Sequence, residues 1–193
     1  MPAAPMPAGG VTIRPALAAD IPALAAIYGH AVRTSVATFD VEDPEPAYWL
    51  AKVESTHPGD HVLVAQDGEG CVIGYAYSGS FRPRPAYDRT RETSVYLAPE
   101  AVGRGVGTTL YTRLLELMRA AGVHLAVAVV AQPNPASDAL HRSLGFREVG
   151  TLEEVGHKFG AYVSTRWYQL LLEPPGAEEP AEERGVEPGE GPA

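Results

Sequence analysis

The sequence predicts an α/β chain folded as one domain, and three observations predict it. Residues 92–115 read E-T-S-V-Y-L-A-P-E-A-V-G-R-G-V-G-T-T-L-Y-T-R-L-L. A β-branched and aromatic run, Thr93 to Leu97, is stopped by Ala98-Pro99 and passes glycines at Gly103, Gly105 and Gly107. It resumes with Leu110, Leu114, Leu115 and Met118 at helical spacing, so the stretch is strand, glycine loop, helix. His61–Gln66 and Cys71–Ser80 flank the turn Asp67-Gly68-Glu69-Gly70 and read as an antiparallel hairpin. Finally, 193 residues with 45% hydrophobic content suit a single buried core.

Taken in order, Val11–Pro15 is a short strand cut by its proline. Asp20-Ile21-Pro22 opens a helix whose apolar stripe is Ile21, Leu24, Ala25, Ile27, Tyr28 and Val32. Thr34–Phe39 is too polar and β-branched to prolong it and forms a loop, after which Asp43-Pro44-Glu45-Pro46 starts a second helix through Trp49 and Val53. The hairpin follows, then a proline-punctuated loop, Arg82–Asp88, that leads into the central strand. Gly122 ends the helix behind the glycine loop, and the apolar run Leu125–Val130 is a buried strand. Pro133-Asn134-Pro135 starts a short helix carrying Leu140, His141 and Leu144, stopped by Gly145. Phe146–Val155 and Tyr162–Leu172 are the last strands, with Gly156-His157-Lys158-Phe159-Gly160 as the loop between them.

Composition excludes several function classes. Residues 1–10 hold no charge and no apolar segment and are expected to be a disordered leader, not a secretory signal. From Glu173 onward, seven Glu and one Arg contribute −6 of the net −9, in an expected disordered acidic tail. The folded part, 11–172, then carries about −3 and no basic stripe for nucleic acid. No stretch approaches the roughly 20 apolar residues of a membrane span, so a soluble, cytoplasmic protein is expected. The single cysteine, Cys71, excludes an internal disulfide and reads as a small buried thiol. His30, His57, His61 and His124 are scattered, which argues against a metal site.

The glycine loop suits a phosphate or pyrophosphate, because glycines bring backbone N–H groups close and the helix behind adds uncapped donors. It is no Walker loop, since no lysine occurs between Glu92 and His157. It is no dinucleotide fingerprint, since it reads G-x-G-x-G past the middle of the chain. A turn that only closes strand onto helix stays open.

The element order, together with Val102-Gly103-Arg104-Gly105-Val106-Gly107, Asn134, Ala139-Leu140-His141 and Leu144-Gly145-Phe146, resembles the GNAT acetyltransferase superfamily. The likeness extends to its branch acting on phosphinothricin and on methionine sulfoximine and sulfone. The segments that carry it are Thr34-Ser35 with Thr38-Phe39, Tyr87 with Glu92 before Ser94-Val95-Tyr96, Gly103–Tyr111, Pro133-Asn134 with His141, and Val155–Gly160. Val102 departs from the family's Gln or Arg, and Tyr162 from its frequent Trp. The resemblance implies an α+β fold, a mixed and mostly antiparallel sheet flanked by helices. It also implies acetyl-CoA as cosubstrate, no metal, and a homodimer with the site near its interface.

Acetyl transfer to an amine makes three demands. The amine must lose a proton, since an ammonium of pKa near 10 has no lone pair. Glu92, on one face of the central strand with Ser94 and Tyr96, is the candidate base, directly or through a water. Its rival role is an ion pair with Arg89 or Arg91. The tetrahedral oxyanion needs backbone N–H groups, which the resemblance assigns to Val95, Tyr96 and Leu97, with the pantetheine arm laid along that strand. By the same resemblance Gly103, Arg104, Gly105, Val106, Gly107 and Thr108 receive the pyrophosphate, and Asn134 and Ser143 complete the cofactor site. The leaving thiolate needs a proton. His141 stands where the branch has its histidine, as an acid, as a substrate ligand, or as a helix histidine bonded within the core. The resemblance places Thr34, Ser35, Phe39, Pro85, Ala86, Tyr87, Lys158 and Phe159 around the substrate. Arg82, Arg84 and Lys158 are available for its anionic groups.

Overall fold

A computed structural model describes residues 10–172. The leader expected at 1–10, apart from Gly10, and the tail expected at 173–193 lie outside the described residues. Seven strands form one sheet: β1 Thr12–Pro15, β2 Val62–Gln66, β3 Val72–Ser80, β4 Thr90–Leu97, β5 Leu125–Ala131, β6 Arg147–Lys158 and β7 Ala161–Leu171. Four helices complete the fold: α1 Ile21–Thr34, α2 Pro46–Val53, α3 Val106–Ala120 and α4 Pro135–Ser143. The spatial order of strands is β1-β2-β3-β4-β5-β7-β6. Every pairing is antiparallel except β4 with β5.

Alternation along the strands sends side chains to two cores. Val95 and Leu97 of β4 join Leu63, Ile73, Ala126 and Ala128 beneath α3, whose Leu110, Tyr111, Leu114 and Met118 are fully buried. Tyr96 of β4 and Tyr75 and Tyr77 of β3 face the opposite way and pack with Leu24, Tyr28 and Val32 of α1 and Trp49 of α2. The Glu92, Ser94, Tyr96 face is therefore the α1/α2 face, and the apolar stripe of α1 covers it.

Three readings are corrected. The segment Gly156–Gly160 is not a loop: β6 continues to Lys158, with Gly156 opposite Val163 and Lys158 opposite Ala161. Only Phe159 and Gly160, both at positive φ (53° and 76°), make the turn, as a two-residue hairpin with right-handed twist requires. Gly156 matters because a Cβ there would collide with the Phe39 ring, so the glycine seats Phe39 on β6. Cys71 is exposed rather than buried, because it belongs to the hairpin turn one residue before β3 begins. Lys158 is no free anion partner: 4% exposed, it donates from Nζ to the Thr38 carbonyl at 2.8 Å and pins the loop after α1.

Candidate active site

β4 and β5 pair over three positions only, Thr90, Arg91 and Glu92 against Leu125, Ala126 and Val127. Beyond Glu92 the strands part, although β4 runs on to Leu97 and β5 to Ala131. The gap is a cleft of about 790 Å³ walled by Thr93–Leu97 on one side and Val129–Ala131 on the other. Its ends are closed by the glycine loop, by α4 and by the C-terminal end of α1. Among the described residues, the backbone groups of β4 that face this gap have no strand to pair with, an edge ready to take an extended ligand.

The glycine loop gives the cleft its polar end. Gly103 and Gly105 sit at φ 76° and 79°, a conformation that L side chains avoid, and a Cβ on either would meet nothing within 4 Å. Gly105 is the residue before α3, so the first-turn N–H groups of Val106, Gly107 and Thr108 have no intrahelical acceptor and carry the positive end of the helix dipole. Gly103, Gly105, Gly107 and Thr108 line the cleft, as does Val102. Val106 is turned into the core at 2% exposure, and Arg104 donates to the Glu100 carbonyl at 3.3 Å, outside the lining.

At the other wall Asn134 caps α4, its Oδ1 accepting from Ser137 N at 3.0 Å, which leaves its amide N–H₂ for the cleft it lines. Ser143 lies at the far end of α4, exposed and donating to the Leu140 carbonyl, away from the cleft. His141 lines the cleft yet is 4% exposed. Its Nδ1 lies 2.7 Å from the Ser137 carbonyl, which fixes the ring proton there, and Nε2 faces the Tyr111 hydroxyl at 3.2 Å. The ring stacks on Tyr168 at 5.3 Å. Burial lowers the imidazole pKa against the opposing pull of the Ser137 carbonyl and Asp138, so the ring is neutral near pH 7. These contacts are those of a histidine bonded within the core.

Glu92 stands where the strands part. Neither expected arginine engages it: Arg89 donates to the Gly122 carbonyl, and the Arg91 guanidinium lies 3.3 Å from Asp60. Burial raises its carboxyl pKa, opposed by the fields of Arg82 and Lys52. A carboxylate that has no ion pair among the described residues and is pushed upward is suited to accept a proton.

Of the residues assigned to substrate, Thr34 and Ser35 line the cleft at the end of α1. The others do not. Phe39 lies over Gly156, Phe159 is 62% exposed in the hairpin turn, and Pro85, Ala86 and Tyr87 form an exposed turn whose Tyr87 packs edge-on against Phe81. Sequence reasoning missed Lys52, whose Nζ lies over the Tyr48 and Tyr77 rings at 4.7 and 4.3 Å. The i, i+4 spacing of Tyr48 and Lys52 on α2 was the available signal. Among the described residues no group of three or more His, Cys, Asp or Glu is placed to hold a metal ion, and no helix is long and apolar enough to cross a membrane.

The chain is similar to known acetyltransferases. Residues 24–146 match the model of the acetyltransferase (GNAT) family. A phosphinothricin N-acetyltransferase of Streptomyces coelicolor is 43% identical over 169 residues, covering 84% of this chain and 96% of that protein. An L-methionine sulfoximine/L-methionine sulfone acetyltransferase of Pseudomonas paraeruginosa is 39% identical over 168 residues, covering 84% and 95% respectively. The crystal structure of a GNAT superfamily phosphinothricin acetyltransferase from Sinorhizobium meliloti in complex with acetyl-CoA superposes with a TM-score of 0.82. It is 38% identical, and the match covers 90% of this chain and 94% of that one.

Proposed function

The chain belongs to the acetyltransferase (GNAT) family and is an N-acetyltransferase; on that premise we propose that it moves the acetyl group of acetyl-CoA to the α-amine of a small amino-acid analogue. Phosphinothricin and methionine sulfoximine or sulfone, the substrates named for its relatives, define the class. The observation that carries this reading is the parting of β4 and β5 at Glu92. It sets an unpaired strand edge and a glycine loop along one cleft, with the half-buried Glu92 carboxylate at the point where the strands part.

The residues divide the work accordingly. The first-turn N–H groups of α3 and the Gly103–Thr108 loop hold the pyrophosphate, and the free edge of β4 holds the pantetheine amides, with the Asn134 amide beside them. The reacting carbonyl then lies near Val95–Leu97, whose backbone N–H groups stabilise the oxyanion. Glu92 takes the ammonium proton, directly or through one water, and the freed amine attacks the thioester carbon. The C–S bond breaks, and the proton shed by the newly bonded, positively charged nitrogen as the amide forms passes to the thiolate. His141 shapes the thioester end of the cleft as a neutral ring, and Thr34 and Ser35 offer hydroxyls from the opposite rim. Transfer is direct, in a ternary complex, because Cys71 lies in a remote hairpin turn and no other thiol exists in the chain.

The assembly is a cytoplasmic homodimer. β6 supports this, because Val149, Leu152, Val155 and the neighbouring Phe159 and Tyr162 are all about half or more exposed, a set of apolar side chains along one edge strand and its turn that a second copy would cover. Light scattering after size exclusion reads the mass, and a monomer at micromolar concentration would remove the dimer.

The function itself is tested by thiol release from acetyl-CoA against phosphinothricin, methionine sulfoximine, methionine sulfone, a polyamine, an aminoglycoside and a peptide N-terminus. Turnover confined to the three amino-acid analogues is expected. Turnover only on a cationic amine or peptide would discard the substrate class, and acetyl-CoA binding without turnover on any amine would favour a sensing module.

A further inference from the structure

We propose that Lys52 is the specificity-determining cation of the acceptor site and selects amino acids whose side chain is anionic. The inference rests on the functional reading above and deepens it.

Gly79 of β3 stands directly opposite Glu92 of β4. A Cβ built on Gly79 would meet nothing within 4 Å, so the space beside the Glu92 backbone on this strand pair is open by the width of a side chain. Two residues earlier on the same face of β3 is Tyr77, whose ring carries the Lys52 ammonium 4.3 Å from its centroid. The Tyr48 ring flanks that ammonium at 4.7 Å. Open space, carboxylate and ammonium are therefore neighbours on one face, the α1/α2 side of β3 and β4.

Lys52 is only partly exposed and, among the described residues, makes no salt bridge. The carboxylates that act on it, Asp60, Glu92 and Asp40, do so through space, and burial outweighs them in lowering its pKa. An ammonium held on two aromatic faces keeps its charge available, because the rings attract it without neutralising it. Nothing in the packing of α2 requires a cation there, since Trp49 supplies the buried anchor of that helix.

The charge balance of the reaction favours an anion beside it. When Glu92 takes the acceptor's proton, it loses the negative charge that had offset Lys52 and the exposed Arg82. An acceptor with both an α-carboxylate and an anionic side chain supplies one anion for each cation. An acceptor with a neutral sulfone side chain leaves one cation without a counter-charge.

Phosphinothricin and methionine sulfone share the α-amino-acid end, and their side chains are anionic and neutral respectively. In the wild type, Lys52→Met and Lys52→Arg, kcat/KM is measured for both acceptors, with KM for acetyl-CoA as the check on folding. In Lys52→Met the ratio of phosphinothricin to methionine sulfone is expected to fall about 10- to 100-fold, the worth of one bond to a charged group. The loss should be carried by KM, and Lys52→Arg should restore most of the ratio. Gly79→Val, which fills the open space without changing charge, should weaken both acceptors and leave acetyl-CoA KM in place. An unchanged ratio in Lys52→Met, or full acceptor affinity in Gly79→Val, overturns the inference while the acetyltransferase reading stands. A wild type inactive on both acceptors overturns that reading and this inference with it.

Discussion

Burial lifts the Glu92 carboxyl above its ordinary value, and the sign of that shift ties stability to chemistry at a single residue. A carboxyl whose folded pKa is raised favours the native state fully below its unfolded value, and that advantage is lost as pH rises through the folded pKa. Near pH 8 the native protein therefore bears the cost of a desolvated carboxylate. Glu92→Gln removes it, so the variant is expected to melt higher than wild type at pH 8, with the difference closing toward pH 4; a lower melting point at pH 8 would contradict the assignment. The same variant should lower kcat by roughly 10² to 10⁴ at nearly unchanged acetyl-CoA affinity. The acid limb of the kcat profile should lie above the ordinary carboxylate range and disappear in Glu92→Gln. His141 has no proton to move in the proposed transfer, so His141→Gln should leave that limb in place.

At the scale of elements, two features make sharp predictions. Gly156→Val places a side chain where the Phe39 ring sits. It should cost about 1–3 kcal/mol by overpacking, read as a shifted denaturation midpoint, because neither β6 nor the loop after α1 can retreat without losing the other. Gly105→Ala forces a Cβ into left-handed backbone at the start of α3, at a cost of about 1–2 kcal/mol, and should raise KM for acetyl-CoA more than it lowers kcat. Most elements could be read in advance because their signals are local: helical periodicity in α1 and α3, β-branched runs in β4 and β5, and glycine or proline at nearly every junction. The extent of β6 could not, since Gly156 looks like a loop residue until a distant ring explains it. The same limit applied to the site. Glu92, the glycine loop and Asn134 lie in motifs, whereas Lys52 and Gly79 become neighbours only when α2 folds over the β3–β4 pair. Lys158 drew a functional role from its charge, but its partner is a backbone carbonyl 120 residues away.

For the whole molecule, Leu172 is fully buried and closes the core beneath α3. A chain ending there should fold and turn over acetyl-CoA as the full chain does, and loss of soluble protein on that truncation would show the segment after it to be needed. The sheet is narrowly joined in its middle. Four strands on one side and three on the other are joined by three paired positions and by the cluster under α3 that draws residues from both. Two half-sheets linked so narrowly can shift against each other at the junction, and a ligand lying in the gap would act as a splint between them. Deuterium uptake at the amides of 93–97 should then slow when acetyl-CoA binds, while the strands remote from the gap change little. The melting point should climb with the logarithm of its concentration. If acetyl-CoA lies in that gap as proposed, the donor is also a fastening of the fold, and its depletion would loosen the enzyme as well as idle it.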